Sequence, residues 1–337
     1  MTASSGYMIL TPENIEARLT SRKRSVRLDM AVREDFVPTP AQIERGLTDM
    51  YDEVRQAWSE RTDFVPTLEQ IERGLSDPYF LVRIAFAQRT DFTPTSQQVE
   101  RGLTDDDSNV RVAWAQRLDF TPTLEQAERG VTDENYLVRC AWALRQDWTP
   151  TPEQVERGLQ DRQSEVRGAW ACREDFTPTP EQAERGLKDE NGDVRCAWLR
   201  RSDISLTPAQ IHACSSDIDS LVRRFLALRM DFTPTPEQIE KGLLDHDWKV
   251  REAWAMRDDY TATSVQVQRG LEDDVREVQI AWIMRNDFLP SHSMIDNGLQ
   301  SRELMIREAW EEKLAIMQAS VMDKELPSVC DSLCSTL

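Results

Sequence analysis

The side chains in this sequence that could act in catalysis or ligand binding are carboxylates, guanidinium groups and a few histidines. The chain of 337 residues holds 60 Asp and Glu, 41 Lys and Arg, and 3 His. The histidines, His212, His246 and His292, lie far apart, and no nucleophile motif, phosphate-binding glycine loop or metal-ligand spacing surrounds them. We therefore predict that the protein is not an enzyme, with no catalytic residues, no metal site and no cofactor.

The charged residues recur at a fixed interval. A Val-Arg pair returns every 28 residues, at Val26, Val54, Val82, Val110, Val138, Val166, Val194, Val222 and Val250, with Val278 and Ile306 continuing the register. These eleven copies follow one another without an insertion, which is typical of a stacked-repeat protein. An Asp ahead of the pair also recurs, as in Asp49 with Arg55. We interpret these residues as a structural ladder between adjacent repeats.

The first half of each copy predicts a short helix, which we call helix A. In one copy Thr179 can cap the first backbone amides, Pro180 fits the first helical position and Gln182 completes a capping box. In the preceding copy Val155 and Leu159 are four residues apart, so they share one face. We expect helix A to span about eight residues.

The second half predicts helix B, which we expect to be the longer helix. Asp161 is the expected cap, and the apolar stripe Val166, Ala169 and Trp170 has spacings of three and four. The helix should end where the Asp-Phe-Thr-Pro turn begins, because proline disfavours helical geometry in the residue before it and donates no backbone hydrogen bond.

Glycine and tryptophan each recur at one position of the unit. Nine of the twelve glycines lie late in helix A, at Gly46, Gly74, Gly102, Gly130, Gly158, Gly186, Gly242, Gly270 and Gly298. Eight of the ten tryptophans lie in helix B, at Trp58, Trp114, Trp142, Trp170, Trp198, Trp254, Trp282 and Trp310. The tryptophans continue the apolar stripe and are expected in the core. The glycines indicate either a close helix approach or a left-handed helix end.

The copy at residues 205–229 departs most from the others. His212-Ala-Cys-Ser replaces Glu-Arg-Gly-Leu, and Phe225-Leu226 replaces Ala-Trp. This change predicts a local bend or, alternatively, a binding site.

The repeated Asp-x4-Val-Arg-x-Ala-Trp-Ala segment, followed by a proline turn and Pro-Glu-Gln-(Ile/Val)-Glu-Arg, resembles the HEAT-like and leucine-rich-repeat-variant α-helical repeat families over about residues 11–315. The resemblance implies short helical repeats that stack into a superhelix, mostly in scaffolds that hold other macromolecules. We predict an all-α fold, a right-handed α-α superhelix (solenoid) of about eleven 28-residue two-helix repeats.

The organisation along the chain follows from the repeat. We expect an N-terminal leader at residues 1–10, a solenoid at 11–315 whose first and last copies act as caps, and at 316–337 the end of a capping helix and a flexible tail. No apolar stretch is long enough to span a membrane, no signal peptide is evident, and the six cysteines form no metal-ligand set. These features predict a cytoplasmic monomer.

The acidic balance guides the prediction of function. The formal charge of −19 is spread through the copies, which disfavours nucleic acid and favours a basic partner. We predict a non-enzymatic scaffold whose acidic helical-repeat surface binds a protein, with a basic protein favoured. The alternatives are a DNA-mimicking decoy that inhibits a nucleic-acid-binding protein, and a HEAT-like DNA-associated module similar to a glycosylase.

Two surfaces compete as the binding site. The first, the A–B turn edge, joins aromatic residues in the variable turn between the helices to acidic neighbours, a composition typical of interfaces. Its predicted residues are Tyr51, Tyr79, Phe80, Tyr136, Trp248, Asp106 and Asp107. The second is an apolar groove beside the core stripe of helix B, unless burial between repeats explains these residues. Its predicted residues are Val112, Leu144, Cys172, Leu228, Met256 and Met284.

Overall fold

The structure is a computed structural model that describes residues 11–325, with side chains described as far as residue 319. The predicted leader at residues 1–10 and the part of the predicted tail at residues 326–337, with Cys330 and Cys334, lie outside the described residues. Between residues 11 and 325 the chain forms 22 α-helices and no β-strand. They alternate as helix A and helix B, which confirms the predicted all-α fold of eleven two-helix repeats.

The chain divides into two compact units, of which the first ends at Asp175. Within it each helix A packs on the helix B that follows, and consecutive B helices pack on one another. Its helices are α1 (Pro12–Leu19), α2 (Arg24–Ala31), α3 (Pro40–Leu47), α4 (Asp52–Ser59), α5 (Leu68–Gly74), α6 (Phe80–Gln88), α7 (Ser96–Leu103), α8 (Ser108–Ala115), α9 (Leu124–Val131), α10 (Tyr136–Leu144), α11 (Pro152–Leu159) and α12 (Ser164–Ala171).

The second unit begins at Phe176 and has the same internal packing. Its helices are α13 (Pro180–Leu187), α14 (Gly192–Leu199), α15 (Pro208–Ser215), α16 (Ser220–Leu228), α17 (Pro236–Leu243), α18 (Trp248–Ala255), α19 (Ser264–Leu271), α20 (Arg276–Met284), α21 (His292–Leu299) and α22 (Leu304–Glu325).

Helix A begins as the sequence predicts. In α11, Thr151 accepts a hydrogen bond from the backbone amide of Gln154 at 3.3 Å, and the Gln154 side chain accepts from the Thr151 amide at 2.8 Å. This capping box satisfies amides that have no partner within the helix. The helix spans eight residues as expected.

Helix B differs from the prediction in its length and its cap. It spans only eight or nine residues in the first ten copies, and from the second copy to the tenth a buried arginine follows within two residues of its end. Asp161 does not cap α12. The N-cap is Gln163, whose backbone amide donates to Oδ1 of Asp161 at 2.9 Å. The recurrent Asp therefore closes the turn two residues before the N-cap, a local side-chain-to-backbone pairing typical of aspartate.

The recurrent glycines allow helices A and B of one repeat to approach closely. A Cβ on Gly102 would lie 2.1 Å from Nε1 of Trp114, which is 2 % exposed. No residue among those described, glycine included, has a positive φ. The close approach is therefore confirmed, and the alternative of a left-handed helix end is wrong.

The glycine is replaced where the aromatic ring that faces it is replaced. In the copy at residues 205–229 Cys214 takes the glycine position and Leu226 the tryptophan position, and both are buried. The smaller leucine leaves room for the cysteine side chain. Helices α15 and α16 keep the usual lengths, and His212 is exposed.

Candidate functional site

An Asp–Arg ladder connects consecutive repeats and accounts for much of the recurrent charge. Arg139 donates to both carboxylate oxygens of Asp161 in the next repeat, at 2.6 and 2.7 Å, and to the backbone carbonyl of Asp133 at 2.9 Å. Equivalent pairs are Arg27–Asp49, Arg55–Asp77, Arg83–Asp105 and Arg111–Asp133 in the first unit, and Arg195–Asp217, Arg223–Asp245 and Arg251–Asp273 in the second. The predicted structural role of these residues is confirmed.

Replacing Arg139 by alanine should reduce the free energy of unfolding by about 1 to 3 kcal/mol, because it leaves the nearly buried Asp161 carboxylate without its cation. Replacing the exposed Arg162 in the next turn is the control and should change stability little. Chemical denaturation of both variants measures the difference. Equal transition midpoints for the two variants would contradict the stabilising role of the Asp–Arg ladder.

The same pair predicts a pH dependence. Burial acts to raise the pKa of Asp161, but hydrogen bonds from Arg139 and from the Gln163 amide outweigh it, so the pKa is lowered. The stabilisation is therefore present above the unfolded pKa, about 3.9, and is lost as the pH falls through the lower folded value. As the pH is lowered, the free energy of unfolding should fall more steeply for the unaltered chain than for the Arg139→Ala variant.

A second set of arginines, not predicted from the sequence, is more deeply buried. Arg145, 3 % exposed, donates to the backbone carbonyls of Ala115 at 2.8 Å and Phe120 at 3.2 Å in the preceding repeat, and to Oδ1 of Asp147 at 2.9 Å. Its guanidinium lies 4.6 Å from the ring centroid of Phe120 and 5.4 Å from that of Trp142. This buried arginine therefore joins two repeats through carbonyls, a carboxylate and aromatic rings.

A buried cation occupies the same position from the second repeat to the last, whereas Arg33 in the first repeat is half-buried. Its residues are Arg61, Arg89, Arg117, Arg145 and Arg173 in the first unit, and Arg201, Arg229, Arg257, Arg285 and finally Lys313 in the second. The available signal was the recurring Arg-x-Asp-aromatic turn, as in Arg145-Gln-Asp-Trp148. Both sets of arginines are engaged in holding the fold, so the recurrent carboxylates that pair with them are structural groups.

The aromatic residues predicted for the A–B turn edge are half-buried. Tyr51 lies beneath Arg24 and Arg27, whose guanidinium carbons are 5.8 and 5.4 Å from its ring centroid. The rings of Tyr79 and Phe80 pack edge to face with centroids 5.4 Å apart. Tyr136 and Trp248 are the first residues of α10 and α18. The rings of Tyr51, Tyr79 and Phe80 therefore contact neighbouring side chains, which leaves less of their surface available to a partner.

The acidic residues of the A–B turn edge have different roles. The Asp106 side chain is 95 % exposed and accepts from Arg83 at 3.0 Å, whereas Asp107 caps α8 and accepts from the backbone amide of Asn109 at 2.8 Å. An exposed ion pair of this kind contributes little stability. The edge therefore offers exposed negative charge at Asp106, while Asp107 is occupied by the helix start.

The apolar row on helix B is only partly buried. In the first unit Val112 is half-buried, while Leu144 is 56 % exposed and Cys172 is exposed. In the second unit Leu228 and Met256 are 45 % and 64 % exposed, and Met284 is half-buried. Burial between repeats therefore accounts for only part of this row. We refer to Leu144, Cys172, Leu228, Met256 and Met284, which share one register position, as the B-face row.

A groove of about 430 Å³ opens beside this row in the second unit, between α18 and α20. Met256, Ile280, Ala281 and Met284 supply its apolar lining. No group of three or more metal-ligating side chains forms among the residues that the structure describes. Within residues 11–325, every helix is too short or too polar to cross a membrane.

Comparisons with known proteins do not assign this chain to a family, so the fold is assigned from the structure. No protein-family model matches the chain, and the search of curated proteins found no match. Among solved structures, the chain is similar to one described as a leucine-rich repeat variant with a novel repetitive protein structural motif, at 24% identity. That likeness covers 74% of this chain and 87% of the other, with a TM-score of 0.44. The helical pairs described above confirm the predicted helical-repeat architecture independently of it.

Proposed function

We propose that this chain is a non-enzymatic scaffold that binds a partner protein through the outward faces of its B helices. The observation that carries the proposal is the B-face row, in which large apolar side chains stay exposed at one register position of several B helices. Exposed apolar side chains that recur in register are costly in water and are typical of surfaces that another protein covers. Within each unit, the packing of consecutive B helices holds these side chains in place.

The negative net charge of the chain favours a basic partner. The arginines of the Asp–Arg ladder are neutralised by their own aspartates, so the formal charge of −19 arises from carboxylates elsewhere on the surface. Such a surface attracts cationic proteins and repels nucleic acid. The A–B turn edge remains a second candidate for this attraction, because Asp106 is exposed there.

Affinity capture with two sets of variants should distinguish the surfaces. A B-face variant carrying Leu144→Gln, Leu228→Gln and Met256→Gln should lose most of the partner retained by the unaltered chain, because its apolar contacts are removed. Glutamine already stands at this register position in Gln88 and Gln116, so the changes should be compatible with folding. The measurement is quantitative mass spectrometry of the retained proteins.

The matched control is an edge variant carrying Tyr79→Ala, Tyr136→Ala and Trp248→Ala, assayed at low and high salt. We expect it to retain the partner at both. If only the edge variant loses the partner, the binding site lies on the A–B turn edge. Equal capture by all three proteins would refute the proposed function.

A further inference from the structure

The groove between α18 and α20 has an apolar floor bounded by acids. Met256 and Met284 lie on the B-face row of consecutive helices, and Ile280 lies one turn before Met284. Methionine is unbranched and polarizable, so a methionine lining adapts to different apolar side chains. The floor is therefore suited to one or two large aliphatic or aromatic anchors of a partner.

The acids around this floor are not all used by the fold. Glu252 and Asp258 line the groove and have no Lys or Arg partner among the described residues, while Glu277 pairs with Arg276 at 2.9 Å. The two arginines in the lining, Arg257 and Arg285, are instead buried and bonded to Asp259 and Asp287. The groove consequently presents negative charge to an incoming ligand.

This composition is not imposed by the repeat. The equivalent groove of the first unit, between α4 and α6, is lined by Ser59, Glu60, Thr62 and Gln88, with polar residues at the positions of Met256 and Met284. The same backbone therefore accepts a polar lining. The apolar lining in the second unit is a local property of these two repeats.

The exposed residues on the two sides of the groove differ in polarity. On one side α16 contributes exposed Leu228 and Met230 follows it, and on the other α22 contributes exposed Glu308 and Glu312. Glu312 continues the register position of Met256 and Met284. At the register position of the B-face row, the exposed side chain thus changes from Leu228 on α16 to Glu312 on α22, which favours a ligand with an apolar segment and a cationic end.

We propose that this groove binds a basic amphipathic α-helix of the partner, an inference that rests on the scaffold function proposed above. Packed helices lie about 8 to 10 Å apart, so a helix crossing the B helices needs an apolar anchor roughly every seven residues, at 1.5 Å per residue. A helix of about 20 residues spans the distance from α16 to α22. Its apolar stripe contacts Leu228, Met256 and Met284, and its Lys or Arg residues lie against Glu308 and Glu312.

Fluorescence anisotropy with a synthetic probe tests this proposal on the full chain. The probe is a labelled 20-residue amphipathic peptide of leucine and lysine, with the leucines on one helical face and a lysine cluster at one end. Met256→Gln with Met284→Gln should weaken its binding about tenfold without changing the charge of the chain. The control Leu118→Gln, at an exposed leucine of the first unit that lies outside the B-face row, should change binding less than about twofold.

A second pair of variants tests the charge. Glu308→Gln with Glu312→Gln should reduce the loss of affinity on adding salt, because fewer ion pairs are screened. A scrambled peptide of the same composition should bind weakly to every protein. Equal binding of a leucine and glutamate peptide, equal affinities for the methionine and Leu118 variants, or a dimer of this chain that the methionine variant abolishes would each overturn the proposal.

The outcome can be separated from that of the proposed function. If the methionine variant binds the peptide like the unaltered chain while the B-face variant still loses its captured partner, the helix proposal fails and the scaffold proposal stands. If the methionine variant loses the peptide and the B-face variant captures its partner normally, the groove binds such helices but the proposed function is wrong.

Discussion

Replacing Arg145 by leucine is expected to destabilise the first unit by about 3 to 5 kcal/mol, more than the loss of a ladder arginine such as Arg139. The substitution removes the donors that reach the carbonyls of Ala115 and Phe120 in the preceding repeat. It also leaves Asp147 without its cation and removes the contacts of the guanidinium with the rings of Phe120 and Trp142. Leucine can fill part of the volume but none of these polar groups.

Lysine at the same position is the informative control. The last repeat holds Lys313 there, which donates to the carbonyl of Arg285 at 2.6 Å and lies 5.6 Å from the ring centroid of Phe288. Arg145→Lys should therefore be less damaging than Arg145→Leu, but still destabilising, because an ammonium cannot form the planar set of bonds of a guanidinium. Urea denaturation followed by tryptophan fluorescence measures all three proteins. A loss for Arg145→Leu no greater than that for Arg139→Ala would contradict the role assigned to the buried arginine.

Introducing a side chain at Gly102 is expected to destabilise the chain by at least about 1 to 3 kcal/mol, because its Cβ would overlap the indole of Trp114. Cysteine is the substitution to make, since Cys214 occupies this position in the copy at residues 205–229. There the opposing residue is Leu226. The buried rigid indole cannot move aside without disturbing its own contacts.

The double variant Gly102→Cys with Trp114→Leu should recover part of that loss. Trp114→Leu alone leaves a cavity and should cost on the order of 2 to 4 kcal/mol. Together the cysteine fills space that the leucine vacates, so the loss for the pair should be smaller than the sum by about 1 kcal/mol or more. A double-mutant cycle from denaturation midpoints gives this coupling. Additive losses would mean that the two positions vary together for a reason other than contact.

The features of this protein that depend on local chemistry can be predicted from its sequence. The 28-residue register establishes the eleven repeats, and capping residues such as Thr151 and Gln154 interact within a single helical turn, so the start of helix A can be predicted from spacing alone. The burial of Trp114 follows from its place in the apolar stripe. The cap of helix B was missed because an aspartate can bond to amides two or three residues ahead, and position alone does not choose between these arrangements.

The features that depend on contacts between neighbouring repeats could not be predicted in this way and required the folded structure. Arg145 bonds to carbonyls 25 and 30 residues earlier in the chain, so the sequence shows that an arginine recurs but not what it contacts. The glycines were ambiguous because both a tight approach and a left-handed turn favour the absence of a Cβ. The exposure of Met256 and the half-burial of Tyr51 likewise depend on which side chains the adjacent helices place against them, because burial is a property of the packed surface and not of the residue type.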